Sequence, residues 1–509
     1  MGQITYRANL SAKTFPFISD NWGRTVIQAG PDNTFNRQVS SAEDVDRDVG
    51  IPQIYYCHNV MPFAQGFQSV GYLETIPTSG LSTTFVSINI LRDNLDNKAY
   101  LGVDAAGNFY ITNGSVWTFK FLVPGAAGKL ITTAYVQGVT YIYVANIGCY
   151  KYDFGLGVFT AVTLTSLDPL QVIGIFGAVG YLLAFNIATI AWSSTIDPTD
   201  FTPSLVTGAG NGTVEGARGG IKFVLPQLLG FIIYTSANAV AGLYSGNARF
   251  PFNFREIVGS GGTSDANLVA NDAGSSSHYA YTTSGLQLVN TSYTSTTNPE
   301  ITDFISGKLF EDFNSTTDTF SQMVLTSTMK KAINVVSERY LIVSYGVTEL
   351  THALVYDIVQ KRYGKLKITH IASLEYELQN PGVTEIPKQS IGFLQKDGRV
   401  VTVDFNVYSN ASAVMLCGKY QYVRARLIQL DQIFFEDIIT PANFTFRVWA
   451  ALDGKSNIAS IPILLSPAVP TSNQQIYGSR AIGTNISLLF KGQFKIESLV
   501  FSFNVHGKR

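Results

Sequence analysis

Runs of Val, Ile, Tyr, Phe and Thr alternating with polar residues dominate the chain, broken by Gly, Asn and Asp, and long amphipathic helical stretches are almost missing. A period of two places successive side chains on opposite faces of a strand, so the pattern predicts β-structure. One helix start stands out at Ser40-Ser41-Ala42-Glu43, a capping-box spacing followed by Asp44, Asp46 and Asp48, acids that suit a helix N-terminus. Gly50 and Pro52 close that helix early.

The middle of the chain repeats one unit: an aromatic or apolar strand, a tight polar or Gly turn, then a second apolar strand. The examples are FYITNGSVWTF from Phe109, YIYVANIGCYKYD from Tyr141, YLLAFNIATIAWSS from Tyr181 and FIIYTSANAVAGLYS from Phe231. They continue with HYAYTTSGLQLV from His278, YLIVSYGVTELTHALVYD from Tyr340 and GFLQKDGRVVTVDF from Gly392. Turn centres fall near positions 114, 147, 187, 238, 285, 347 and 398, so 284 residues make six gaps of about 47. Blade-type repeats have periods of ~40–50 residues. One blade cannot cover both of its faces, so neighbours must stack, and closing the ring protects the sheet edges. The expected fold is all-β: a β-propeller of roughly six to eight blades over residues 66–435, with an extended N-terminal arm and a small C-terminal β-sheet region. A pair of β-sandwiches or a β-solenoid is the alternative.

The ends differ. Residues 1–65 have every apolar run interrupted, as at Gly30-Pro31-Asp32-Asn33, and predict an arm with one short helix lying along a partner or the propeller flank. Residues 436–509 return to strands, FTFRVWAALDG from Phe444, ISLLFKG from Ile486 and KIESLVFSFNVHG from Lys495, a small sheet that N-terminal strands could join.

Composition narrows the function. Lys and Arg number 35 against 36 Asp and Glu, and charged residues make only 14% of the 509, where ~25% is ordinary. A near-neutral chain lacks the basic excess of a bulk electrostatic nucleic-acid binder, and a surface so poor in charge suits cover by other protein copies. Cys57, Cys149 and Cys417 are odd in number and far apart, giving neither a disulfide framework nor a zinc pattern. The first residues show no secretory signal and miss the myristoylation pattern at Tyr6. The eight Asn-x-Ser/Thr sequons, Asn113-Gly114-Ser115 and Asn211-Gly212-Thr213 among them, are therefore read as chance.

No constellation points to chemistry. Val172–Trp192 is long enough to span a membrane, but Gly174, Gly177, Gly180 and Asn186 make a buried hairpin the better reading. The runs GAGNG from Gly208 and GSGG from Gly259 lack the following helix of a phosphate loop and fit inter-blade loops. His58, His278, His352, His370 and His506 form no metal-ligand spacing, and His278 and His352 sit on strands as structural histidines do. Asp397 and Asp404 flank a hairpin, with Asp397-Gly398 as its turn dipeptide. Catalytic, cofactor-binding and metal residues are accordingly expected to be none, with no cofactor. Two basic clusters remain, Lys361, Arg362, Lys365 and Lys367, and Lys419, Arg424 and Arg426. They could face a DNA channel or a subunit contact, or could keep a solvated strand edge soluble.

The segment AWSSTIDPTDFTPS, Ala191 to Ser204, resembles the tail nozzle proteins of short-tailed bacteriophages, also described as hub or packaged-DNA stabilisation proteins. YSGNARFPFNFREIVGSGG from Tyr244, RYLIVSYG from Arg339, ALVYDIVQKRYGKL from Ala353, SIGFLQKDGRVVTVDF from Ser390 and YQYVRARL from Tyr420 share that phrasing, over roughly residues 170–430. The resemblance implies a structural virion protein, not an enzyme, assembled with itself as a ring, typically a hexamer, below the portal–adaptor complex. It further implies contact with a tail needle, spike or fibres, retention of packaged DNA and transient passage of double-stranded DNA without sequence-specific binding. The expected location is the virion tail, and the host cytoplasm during assembly, without stable membrane insertion. A soluble propeller enzyme or glycan-binding module is the competing class, and an outer-membrane barrel the third.

Overall fold

The second strand of the repeat dictates the architecture. Tyr181–Phe185 and Gly230–Thr235 are buried along their whole length. A strand apolar on both faces needs cover on both, and only a flanking sheet on each side supplies it.

The computed structural model describes residues 3–6, 54–63, 66–76, most of 81–404 and the strands of 413–508; residues 7–53 and several connections, 378–388 and 405–412 among them, lie outside the described residues. Five four-stranded antiparallel sheets, strands in chain order, occupy residues 85–122, 131–162, 174–213, 221–256 and 269–297. A sixth blade, residues 330–370, is extended at its outer strand Arg362–His370 by the hairpin Val60–Phe63 and Gly66–Ser69, and then by Lys495–Ile496. The seventh, residues 372–404, contributes three strands and takes Gly71–Ile76 as its fourth. Thr75 Oγ1 donates to Val400 O at 2.9 Å across 325 residues of chain.

Apolar side chains weld consecutive blades. Leu101 and Phe109 of blade 1 meet Ile131 and Ile142 of blade 2. Tyr143 and Ile175 join blades 2 and 3, Phe176 and Phe231 join 3 and 4, and Tyr234 and Ala280 join 4 and 5. Between blades 5 and 6, Lys331 Nζ lies 4.8 Å from the centre of the Tyr281 ring and 3.3 Å from its hydroxyl. Ile342 and Val355 of blade 6 meet Ile391 and Phe393 of blade 7. Phe85, Tyr100 and Trp117 of blade 1 pack on Leu374, Tyr376 and Val400 of blade 7, which closes the ring. The protein is a β-propeller of seven blades.

One backbone bond recurs around it. The turn between a blade's second and third strands bonds the connection entering the next blade, as in Val123 N to Gly107 O at 3.0 Å and Asn146 N to Val172 O at 2.9 Å. Ile221 N to Ile187 O and Thr263 N to Thr235 O, both 2.9 Å, repeat it. The closing junction uses the same bond, Phe85 N to Lys396 O at 2.8 Å. Those turns and the blade-to-blade connections therefore share one face. By antiparallel order, the first-to-second and third-to-fourth turns share the opposite face.

Two boundaries move. Val414–Tyr420 and most of Arg426–Glu436, placed in the propeller by sequence, pair instead with C-terminal strands: Val414 with Lys491 and Phe434 with Val500. Gln3–Tyr6 and Ile54–His58, placed in an arm, are strands of the same two sheets. The predicted helix at Ser40 lies outside the described residues. Val172–Trp192 forms most of the first three strands of blade 3, as the buried-hairpin reading expected, and no helix among the described residues is long and apolar enough to cross a membrane.

Candidate functional site

Of the seven predicted basic positions, Lys365 and Lys367 are the two whose side chains are described. Lys361 and Arg424 lie outside the described residues; Arg362, Lys419 and Arg426 lie on strands Arg362–His370, Val414–Tyr420 and Arg426–Glu436. Lys365 and Lys367 point to one side of their strand, yet Lys365 is buried and Lys367 exposed. The cause is local cover: Lys365 pairs with Val60 of the added N-terminal hairpin and bears electrostatically on the buried Cys57. Lys365 is thus no channel-facing side chain, because a buried lysine cannot meet passing phosphate.

The buried histidines are held by neutral hydrogen bonds. His278 Nε2 lies 2.9 Å from Pro226 O and Nδ1 lies 3.2 Å from Tyr234 Oη, so Nε2–H donates and Nδ1 accepts. His370 has the reverse tautomer, Nδ1–H donating to Ile368 O at 2.8 Å while Nε2 accepts from Ser344 Oγ at 2.7 Å. Burial pushes both rings down to about 4. His352 is buried and stacked on Tyr345, ring centres 5.3 Å apart. Burial also pushes the Cys57 and Cys149 thiols up to about 12, the opposite of an activated nucleophile.

Gly259–Gly262 lies in an inter-blade connection as expected, whereas Gly208–Gly212, also read as an inter-blade loop, lies within blade 3, at the end of a connection and in the fourth strand. Gly261 N donates to Gln287 Oε1 at 2.9 Å while Gln287 Nε2 returns a bond to Gly259 O at 2.9 Å, pinning the connection between blades 4 and 5. Gly210 lies in the fourth strand of blade 3 against Trp192, which leaves a Cβ only 3.1 Å from the indole.

The most elaborate feature is the connection 193–209 between the third and fourth strands of blade 3. It is held internally: Ser194 N donates to Asp200 O at 2.7 Å, Thr195 N to Thr207 O at 3.2 Å and Gly208 N to Ser204 O at 2.9 Å. Phe201 is buried beneath it. Asp197 Oδ1 accepts from Thr199 N at 2.9 Å, and Asp200 Oδ1 from Thr202 N at 2.9 Å and Thr165 Oγ1 at 2.9 Å, the Asx turns expected of Asp-Pro-Thr-Asp. Those bonds hold the Asp200 carboxyl below the usual carboxylate range. The loop is fixed by its own hydrogen bonds, and it includes all of Ala191–Ser204 but the first two residues.

No family model matches the chain, and no curated protein matches it in sequence. Among solved structures it is similar to the extracellular domain of a candidate one-component system from B. thetaiotaomicron, at 10% identity and a TM-score of 0.41, over 88% of this chain and 62% of that one. It is similar to the extracellular domain of a candidate hybrid two-component system from the same organism, at 13% identity and 0.37, over 66% of this chain and 45% of that one. BamB from Moraxella catarrhalis is similar at 9% identity and 0.35, over 70% of this chain and 98% of its own. The chain thus spans less than two thirds of the two B. thetaiotaomicron domains. No functional conclusion follows from these likenesses.

Sequence reasoning singled out charge and missed surface apolarity. Leu205 and Val206 are exposed at the tip of the loop, and Leu228 and Leu229 are exposed in the turn entering the second strand of blade 4. The available signal was adjacency: Leu-Val and Leu-Leu pairs occur in connections rather than in strands.

Proposed function

We propose that this protein is a structural component of a short bacteriophage tail. Copies form a ring, a nozzle of six, that extends the DNA channel below the portal and adaptor, retains packaged DNA and takes part in its ejection. The observation that carries this reading is the coincidence of the nozzle-like segment Ala191–Ser204 with the most elaborate projection of the propeller. Rigid loops on a propeller scaffold suit contact with other proteins.

The charge balance supports it physically. Lysine and arginine contacts strengthen phosphate binding one by one, so a conduit that must release DNA is served by a chain of net charge −1. Duplex would run along the axis of the assembled ring, and partners would include the adaptor above and needle, spike or fibres below. The reading places the protein outside enzyme chemistry and in the virion tail.

Negative-stain imaging of purified protein, alone and with portal–adaptor complex, tests the proposal. Rings, or a cap of density on the adaptor, are expected. Monodisperse monomers that ignore the adaptor, or reproducible turnover in a glycoside-hydrolase panel, would overturn it.

A further inference from the structure

The face bearing the first-to-second and third-to-fourth turns is unusually apolar across blades 3 and 4. Val206 is 91% exposed, and Ile196, Leu205, Leu228 and Leu229 are each 69–75% exposed, with Phe250 beside them at 59%. All six lie in connections on one face of two adjoining blades. Tyr244 N donates to Leu229 O at 3.1 Å, and the Tyr244 ring centre lies 6.4 Å from that of Tyr181, next to the Val179-Gly180 turn. Ser193 N donates to Leu182 O at 2.9 Å, which seats the long loop on the same blade. Gln137 Nε2 reaches Thr195 O at 2.9 Å and ties in blade 2.

A monomer seldom leaves such a patch in water. At about 100 Å² for each exposed apolar side chain, the six offer on the order of 600 Å². One partner of a standard protein interface contributes ~800 Å². The loop's internal hydrogen bonds fix its tip before any partner arrives, so docking orders little further chain.

The charges discriminate among occupants. In sequence, these connections of blades 3 and 4 carry one basic residue, Arg249, and no lysine. Their only acids there, Asp197 and Asp200, accept bonds within the loop or from Thr165. Interfacial membrane binding relies on clusters of cationic residues around the apolar side chains, and the sequence of these connections supplies a single one, Arg249. A patch with so few charges, one basic and two acidic, meets a second surface of its own chain with little repulsion. The ring order adds a direction: the sheet joining the C-terminal strands leaves from blade 6, three blades from blade 3 and thus across the axis. Two different surfaces on opposite flanks are what a head-to-tail ring requires.

We propose that the patch formed by the Ser193–Ala209 loop of blade 3 and the Leu228-Leu229 turn of blade 4 is the surface on which a second copy of this chain docks. The proposal rests on the ring reading above and specifies its contact. The test compares full-length wild type with Leu205→Asp/Val206→Asp, Leu228→Asp/Leu229→Asp and a control, Val258→Asp/Val347→Asp, on the other face. Oligomeric state is read by light scattering over a concentration series, with melting temperature as the check on folding. Wild type and control should assemble alike, while each patch variant keeps its melting temperature and needs at least about tenfold more protein to assemble. Patch variants that form rings as readily as wild type would sink the docking surface and leave the ring reading standing. Wild type that stays monomeric throughout would sink both. Flotation of wild type with anionic phosphatidylserine vesicles, lost in the patch variants, would assign the patch to lipid and overturn the proposal.

Discussion

His278 and His370 are neutral, buried rings that each donate to a backbone carbonyl and accept from a hydroxyl. Burial holds both near 4 in the folded chain, against an ordinary 6.5. Above 6.5 the ring is neutral in folded and unfolded chains alike, and these groups make stability independent of pH. Between 6.5 and about 4 the unfolded chain takes up a proton that the folded one refuses, so stability falls as pH falls. Each ring accounts for about 3 kcal/mol by pH 4. Urea midpoints should therefore drop between pH 7 and pH 4.5, and His278→Gln together with His370→Asn should flatten that slope even where it lowers stability at pH 7. An unchanged slope would mean that water reaches these rings. The structural role given to His278 and His352 was legible in sequence from their strand positions. The structural role of His370 depends on Ser344, which no local pattern connects to it.

At the level of elements, six of the seven predicted turn centres fall between or directly beside second and third strands of blades; the first does not. It was placed at Asn113-Gly114, the stronger turn dipeptide, whereas the turn between the second and third strands of blade 1 reaches Gly107. Asp104 builds that turn, its Oδ1 accepting Ala106 N at 2.9 Å and Asn108 N at 2.8 Å, and Asp-Ala-Ala-Gly does not advertise it. Gly107, Ile147 and Ile187 are then evenly spaced by 40 residues. The longest gap has a cause as well, since the hairpin of Phe310–Asn314 and Thr319–Met323 is inserted between blades 5 and 6. The closing turn supplies a prediction. Gly398 has φ +87°, its added Cβ would lie 2.7 Å from the Phe85 ring, and its carbonyl accepts from Trp117 Nε1 at 2.8 Å. Gly398→Ala should cost about 2 kcal/mol or more through the left-handed backbone and the crowded ring. Trp117→Phe should cost about 1 kcal/mol for the lost bond. Denaturant titration checks both, and a neutral Gly398→Ala would show that the closing junction relaxes.

For the whole molecule, the decisive fact is that the ring is closed by its beginning. Blade 7 takes its outer strand from Gly71–Ile76, and the core between blades 6 and 7 includes Met61 and Val70. A repeat pattern reveals units but not which end completes the last of them, because the closing strand carries the same alternation as any other. Closure at such sequence separation defers its reward until the intervening blades are formed, so the early strands act on the stability of a finished propeller. Removing residues 1–76 strips blade 7 of its fourth strand, exposes the edge of Val400–Asp404 and removes Met61 and Val70 from an apolar cluster. Burying each such side chain is worth ~1.5–3 kcal/mol, against ~5–15 kcal/mol for a whole domain. The truncated chain should therefore melt at a markedly lower temperature and with a broader transition, and the opened edge should promote association. Calorimetry of the two chains at matched concentration makes the comparison. A truncated chain that melts as sharply and as high as the intact one would show that seven blades hold together without the seal, and that the N-terminal strands serve the C-terminal sheets alone.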